Sequence, residues 1–190
     1  MTMPILVAFL AIVLLPAVYV LAQYNALVSL RNYIRESWSD VDVELKRRYD
    51  LIPNLVAVVK GYATHEREVL ERVAELRSRC AANNGPVADQ SRDEIQLVDA
   101  LKQMLVIVEN YPQLKADRNF LGLQTELVNT EDRIQAARRF YNGNVRDYRN
   151  KCETFPSNLV ARQFGFKSEG DFFSVPPSVK EVPNVDFAVS

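Results

Sequence analysis

The stretch Leu45-Lys-Arg-Arg-Tyr-Asp-Leu-Ile-Pro-Asn-Leu55 decides how the chain is laid out, because it holds a capping residue and a proline between two apolar stripes. Aspartate is a good helix N-cap. A proline in the first turn of a helix gives up an N–H that has no intrahelical acceptor there. These signals predict that a first helix ends at about Arg48, that Asp50 caps a second, and that Pro53 lies inside its first turn. So tight a turn makes the two helices antiparallel neighbours.

Working outward, the pattern on both sides is helical. Upstream, Leu27, Leu30, Ile34, Trp38, Val41 and Leu45 recur at steps of three and four. Downstream, Leu55, Val59, Tyr62, Glu66, Val69, Val73, Leu76 and Cys80 do the same until Asn83-Asn-Gly-Pro86 stops the run. A third helix is expected from about Asp89 to Glu109 on Leu97, Leu101, Met104 and Val108. A fourth runs from about Asn119 to Thr154 on Phe120, Gln124, Leu127, Glu131, Ile134, Arg138, Tyr141, Val145, Tyr148, Cys152 and Phe155. Sustained alternation of four and three predicts coiled-coil-like packing, and short links predict up-down-up-down order. The expected fold is all-α: an N-terminal transmembrane helix continuing into a long antiparallel four-helix bundle, with a short extended C-terminal tail. Its parts are a short segment 1–3, an anchor 4–22, the bundle 23–155, and a short helix, aromatic segment and tail over 156–190.

The anchor rests on the run from Pro4 to Ala22, which is apolar throughout, with no charge before Arg31. About 20 such residues cross the hydrocarbon core of a bilayer. Val20 and Ala22 would also suit cleavage of a signal peptide before Gln23, but Met1-Thr-Met-Pro4 lacks a basic n-region and the helical pattern runs on, so the segment reads as retained. Arg31 and Arg35 just beyond it place the large domain in the cytoplasm by the positive-inside rule. Hydrophobic residues form 48% of the chain and charged ones 25%, which suits a helical protein with a sizeable core. The net charge of −1 leaves no excess of cations for a phosphate backbone, so nucleic acid is not an expected partner. Cys80 and Cys152 form no CxxC pair and read as small hydrophobes.

Polar residues in core phase are the candidate functional positions. Glu66, Gln124, Glu131 and Arg138 fall on the stripes, and Arg48 lies three beyond Leu45. Ionised groups in a dry core need partners, so Glu66 and Glu131 are expected to meet Arg48 or Arg138 in a buried polar network. The network could specify register or form a ligand site or switch. The single histidine, His65, stands beside Glu66, but Val69 occupies the position where a zincin needs its second histidine, and a di-iron bundle needs two Glu-x-x-His motifs. No G-x-S-x-G, P-loop or dinucleotide fingerprint occurs. No catalytic residue, metal ligand or cofactor site is assigned, and the chain reads as a non-enzyme.

Several long motifs carry a resemblance. They are Tyr24-Asn25-Ala-Leu27-Val28, Leu30-Arg31-Asn32, the run from Trp38 to Val56 with Asp40, Asp42, Arg47, Asp50, Pro53 and Asn54, and Lys60-Gly-Tyr-Ala-Thr-His65-Glu66. Further along come Glu126-Leu127, Thr130-Glu131-Asp132-Arg133-Ile134, Ala137-Arg138, Tyr141-Asn142, Phe155-Pro156, Phe164-Gly165-Phe166, Phe172-Phe173 and Val182-Pro183-Asn184-Val185-Asp186-Phe187. Together they closely resemble the LemA family over nearly the whole chain. The resemblance implies a bacterial single-pass protein of the inner membrane with a helical-bundle domain and no established enzymatic activity. Relatives are linked to membrane organisation, including a magnetosome-membrane member, and to membrane-bound zinc proteases, so such a protease is a candidate partner. No chemical role comes with the motif positions.

Two functions are weighed. One is a membrane-anchored scaffold or adaptor that self-assembles or binds another membrane protein. The other is a sensor whose polar core answers to pH or a small ligand. Membrane lipid and further copies of the chain are the expected partners. The C-terminal segment, with Phe164, Phe166, Phe172 and Phe173 followed by the strand-like alternation of Val185 and Phe187, is the expected interaction tail. Its aromatic residues would either cap the bundle's foot or touch lipid or a neighbouring subunit.

Overall fold

The helix that contains Leu45 does not stop at Arg48. In the computed structural model, which describes residues 2–168 and 170–173, α1 runs unbroken over Thr2–Tyr62. It is followed by α2 (Arg67–Ala82), α3 (Val87–Val108), the single turn α4 (Pro112–Lys115), α5 (Arg118–Glu153) and α6 (Ser157–Gln163). The described residues contain no strand.

The expected turn at Asp50 is thus corrected, and the reason is visible along α1. Val41, Leu45, Arg48, Ile52, Leu55 and Val59 are all buried, so the alternation of four and three passes straight through the stretch. Asp50 and Pro53 fall on its exposed side. Pro53 still removes one donor, leaving the Tyr49 carbonyl without its i+4 partner. Arg77 of α2 takes its place, its Nε donating to the Tyr49 oxygen at 3.0 Å. A proline whose vacant acceptor is filled from a neighbouring helix does not have to end its own.

The helix ends instead at Ala63–Glu66, where no proline stands. Glu66 occupies the N-cap position of α2 without a side-chain capping bond. This interruption resets the helical phase. Ala63, Leu70, Val73, Leu76 and Cys80 are buried, whereas Tyr62 is exposed and Glu66 and Val69 are half-buried, contrary to the single stripe expected from Leu55 to Cys80. At the next link Asn83 Oδ1 accepts from the Gly85 N–H at 2.9 Å, closing the turn before α3. Asp117 starts α5: its Oδ1 accepts from the N–H groups of Phe120 (3.0 Å) and Asn119 (2.8 Å), and the Phe120 bond, followed by one from the Tyr62 hydroxyl, holds its carboxyl below the usual carboxylate range. Tyr62 donates to its other oxygen at 3.0 Å.

The chain divides into two units, to both of which α1 and α5 contribute. The unit of residues 42–135 and 171–173 has a core of Ile52, Leu55, Val59, Val73, Leu76, Leu97, Met104, Leu114 and Phe120, among others. The unit of Met1–Val41 and Ala136–Gly170 gathers Leu27, Tyr148, Cys152, Val160 and Ala161, with Val20, Leu30, Ile34 and Phe166 packed on them. In this second unit α6 ends in a Schellman arrangement. Gly165 takes φ +70°, the Phe166 N–H bonds to the Ala161 carbonyl at 2.9 Å, and the Gly165 N–H to that of Arg162 at 3.3 Å. This turn carries Phe166 back over α1, 5.6 Å from Tyr24 between ring centroids, with Phe164 at 5.1 Å.

The N-terminal part of α1 is bare. Leu6, Phe9, Ile12 and Leu15 are each about 70% exposed, a state that water penalises by roughly 1.5–3 kcal/mol per side chain relative to burial. Among the described residues this is the one helix long and apolar enough to cross a membrane, and it is a candidate anchor.

Candidate functional site

The polar layer is built around Arg48, which the α1 stripe carries fully into the core at 0% exposure. A guanidinium cannot shed its charge there, so it must be met by anions. Its Nη1 donates to Glu131 Oε2 of α5 at 2.8 Å, and its Nη2 faces Glu94 Oε2 of α3. Tyr49, the next residue on α1, donates its hydroxyl to Glu94 Oε1. Both oxygens of Glu94, itself 1% exposed, therefore have a partner, while Glu131 stands at the edge of the layer and keeps part of its surface in water. One side chain of α1 thus pairs with carboxylates of both α3 and α5.

Of the five expected network members, the structure brings two together in this layer, Arg48 and Glu131. Glu66 lies elsewhere. It sits in the α1–α2 link and accepts from the Tyr111 hydroxyl at 3.2 Å, and burial together with that bond raises the Tyr111 pKa. Gln124 is half-buried on α5, and Arg138 is buried on α5 in the unit that contains Leu27. Glu94 was missed, although the signal was present: it lies three residues before Leu97 on the α3 stripe of Leu97, Leu101, Met104 and Val108.

The remaining expected positions are mostly at the surface. Asp40, Asp42, Asn54, Pro53 and His65 are exposed; Asp50 pairs with Lys46 at 3.4 Å and Arg47 with Glu44 at 3.3 Å. Exposed pairs of this kind contribute about 0–1 kcal/mol. In the aromatic segment Phe164 and Phe172 are exposed, Phe166 is half-buried and Phe173 is buried. Val185 and Phe187 lie outside the described residues.

The layer offers a buried cation with two carboxylates and a phenol, and no group of three or more His, Cys, Asp or Glu residues able to hold a metal is found among the described residues. A shift of α3 or α5 along α1 would strand a buried charge, which typically costs several kcal/mol. Beside it Cys80 is a free thiol whose pKa is pushed up to about 11, chiefly by burial and then by the nearby Asp93 carboxylate.

Comparison with known proteins adds the relatives. The LemA family model matches residues 37–187. Protein LemA of Metamycoplasma hominis is 29% identical over 168 residues, covering 87% of this chain and 74% of the relative. Magnetosome protein MamQ 2 of Paramagnetospirillum magneticum is 24% identical over 183 residues, covering 83% and 67%. Magnetosome protein MamQ of Magnetospirillum gryphiswaldense is 24% identical over 181 residues, covering 82% and 66%.

Proposed function

The chain belongs to the LemA family, and on that footing we propose that it is a non-enzymatic, membrane-anchored scaffold or adaptor, presenting a helical bundle to further copies of itself or to another membrane protein such as a membrane-bound metalloprotease. The observation that carries this reading is the continuity of α1. One helix begins as an exposed apolar run and continues as a core stripe of the domain, so whatever the domain binds is held at a membrane. The magnetosome names of two relatives support a role in membrane organisation. Arg31 and Arg35 favour an inner-membrane topology with the large domain in the cytoplasm.

For the domain itself we infer an antiparallel four-helix arrangement of α1, α2, α3 and α5. Support comes from Arg77 of α2 meeting Tyr49 of α1, from Arg79 of α2 meeting Asp93 and Gln96 of α3 at 3.1 and 2.5 Å, and from Arg48 bridging to both α3 and α5. In such a bundle the Arg48 layer sets register. The sensor alternative draws less support, because His65 is exposed in the α1–α2 link.

Light scattering on the purified full-length protein in detergent tests the scaffold. A defined assembly larger than one chain, unchanged between about pH 5 and pH 8, is expected. A monomer that changes helix packing in that range would overturn the scaffold in favour of the sensor. Truncation after Val175 should shrink the assembly without loss of helix, because the removed tail is the expected contact between copies.

A further inference from the structure

Anchoring by α1 leaves the apolar surface of the α5–α6 corner unexplained. Where α5 gives way to α6, Phe155 is 74% exposed, Leu159 57% and Phe164 50%. Large apolar side chains clustered in so short a segment mark a contact.

The packing of this corner gives its depth. Val20 packs against the cluster that holds Val160 and Ala161, and Tyr24 against Phe164 and Phe166. Tyr19 and Gln23 line one hollow of about 380 Å³ together with Thr154, Phe155 and Pro156. The apolar run 4–22 rises roughly 28 Å at 1.5 Å per residue, and a bilayer's hydrocarbon core is about 30 Å thick. The run therefore needs its last turn, which includes Tyr19 and Val20, to complete the crossing. Whatever packs on that turn lies where hydrocarbon gives way to headgroups, a layer about 6 Å deep on each side. Tyr24 is only about 3 Å of helix beyond Ala22.

We propose that the α5–α6 corner and α6 form a second, peripheral contact with the bilayer that α1 spans. Phe155, Leu159 and Phe164 enter the interfacial layer, and Arg31, Arg162 and Lys167 face lipid phosphates. Aromatic rings with flanking cations are the composition this layer favours, and the Arg31 guanidinium already lies over the Phe166 ring, 5.4 Å from its centroid. The contact restrains the domain against the membrane surface in addition to tethering it. The inference rests on α1 spanning a membrane.

Brominated-lipid quenching of the full chain in nanodiscs of phosphatidylethanolamine and phosphatidylglycerol tests it. The protein has a single tryptophan, Trp38, which lies about 24 Å of helix beyond Ala22 and serves as an unquenched internal reference. In Phe155→Trp and in Leu159→Trp, bromination of the acyl chains should reduce the added emission roughly twofold or more, as for a side chain at the headgroup–acyl boundary. Leu10→Trp reports on the anchor. If Leu10→Trp is quenched while both corner variants stay as bright as Trp38, the corner does not touch lipid and this inference is overturned while the anchor stands. If Leu10→Trp is not quenched either, the anchor reading fails and takes the inference with it. Corner tryptophans that escape quenching in discs holding two copies would assign the surface to a second copy, which also overturns it.

Discussion

Leu27 and Arg48 stand three heptads apart on α1, in the same register and equally buried, yet their surroundings are opposite in kind. Around Leu27 the neighbours are apolar: Tyr148, Cys152, Val160 and Ala161, with Val20, Leu30 and Ile34. Around Arg48 they are Glu94 and Glu131. Apolar burial is roughly proportional to area and has no direction, so the Leu27 cluster stabilises packing without strongly specifying it. The Arg48 layer does the reverse. Desolvating its charges offsets most of what their attraction contributes, and what remains is a strong preference for one alignment.

That contrast is most easily broken at Glu94. Glu94→Leu would leave Arg48 buried with a single, half-solvated partner and deprive the Tyr49 hydroxyl of its acceptor. A loss of about 3–5 kcal/mol is expected in denaturant unfolding of the full chain in detergent, followed by circular dichroism. The triple change Arg48→Met, Glu94→Leu and Glu131→Leu should cost less than Glu94→Leu alone. If the triple is the worse of the two, the layer contributes stability in its own right and the contrast drawn here is wrong. At the other region, Leu27→Ala should cost about 2–4 kcal/mol through the cavity it leaves, whereas Leu27→Met stays under about 1.5 kcal/mol. Arg48→Met alone should not be similarly mild, because it strands the Glu94 carboxylate.

The same comparison indicates what could be read from the sequence. Both Leu27 and Arg48 were placed by their spacing, as were the α3 stripe and the α5 stripe as far as Cys152, since a run of threes and fours leaves little freedom about which face is inside; Phe155, expected on the same stripe, lies past the end of α5 and is exposed. Local punctuation misleads where periodicity does not. Asp50 and Pro53 suggested a turn, but the stripe through Leu45, Arg48, Ile52 and Leu55 is unbroken, and a break there would have cost it. The true interruption at Ala63–Glu66 carries no strong breaker, so Glu66 was assigned a core phase that the restart of α2 at Arg67 removes. Glu94 was missed because the α3 stripe was started at its first apolar residue. The α5–α6 corner could not be placed by spacing at all, since its position depends on Tyr24 meeting Phe164 and Phe166 across more than a hundred residues of chain.

The two cysteines sharpen the comparison through pH. Burial raises the thiol pKa of both; Cys80, near the ionic layer, moves from 9.0 to about 11, with the Asp93 carboxylate adding to the effect of burial. A thiol with a raised folded-state pKa contributes stability that is fully present below its unfolded value and is lost as pH rises toward the folded one. Unfolding free energy should therefore be flat with respect to Cys80 below pH 9, and by about pH 10 the loss should reach about 1 kcal/mol. Tyrosines and lysines titrate in the same range, so the informative quantity is the difference from Cys80→Ala. If the two alkaline profiles run parallel, the thiol is better hydrated than its burial implies.

The smallest effect concerns why α1 continues past the Arg48 layer. If Arg77 satisfies the carbonyl that Pro53 leaves vacant, the two residues must be energetically coupled although they lie on different helices. Arg77→Ala in the native background should cost about 1–2 kcal/mol, toward the low end for a bond to a charged group because Arg77 is only half-buried. Pro53→Ala restores an N–H four residues after Tyr49, so the carbonyl regains its intrahelical donor and no longer needs the guanidinium. In that background Arg77→Ala should be milder by about 0.5–1 kcal/mol, a coupling that a double-mutant cycle resolves. Additive changes would mean that Arg77 acts through its aliphatic stem against α1 and that the vacant carbonyl is served by water. Coupling of the expected sign would establish that this helix passes a proline because its neighbour completes it.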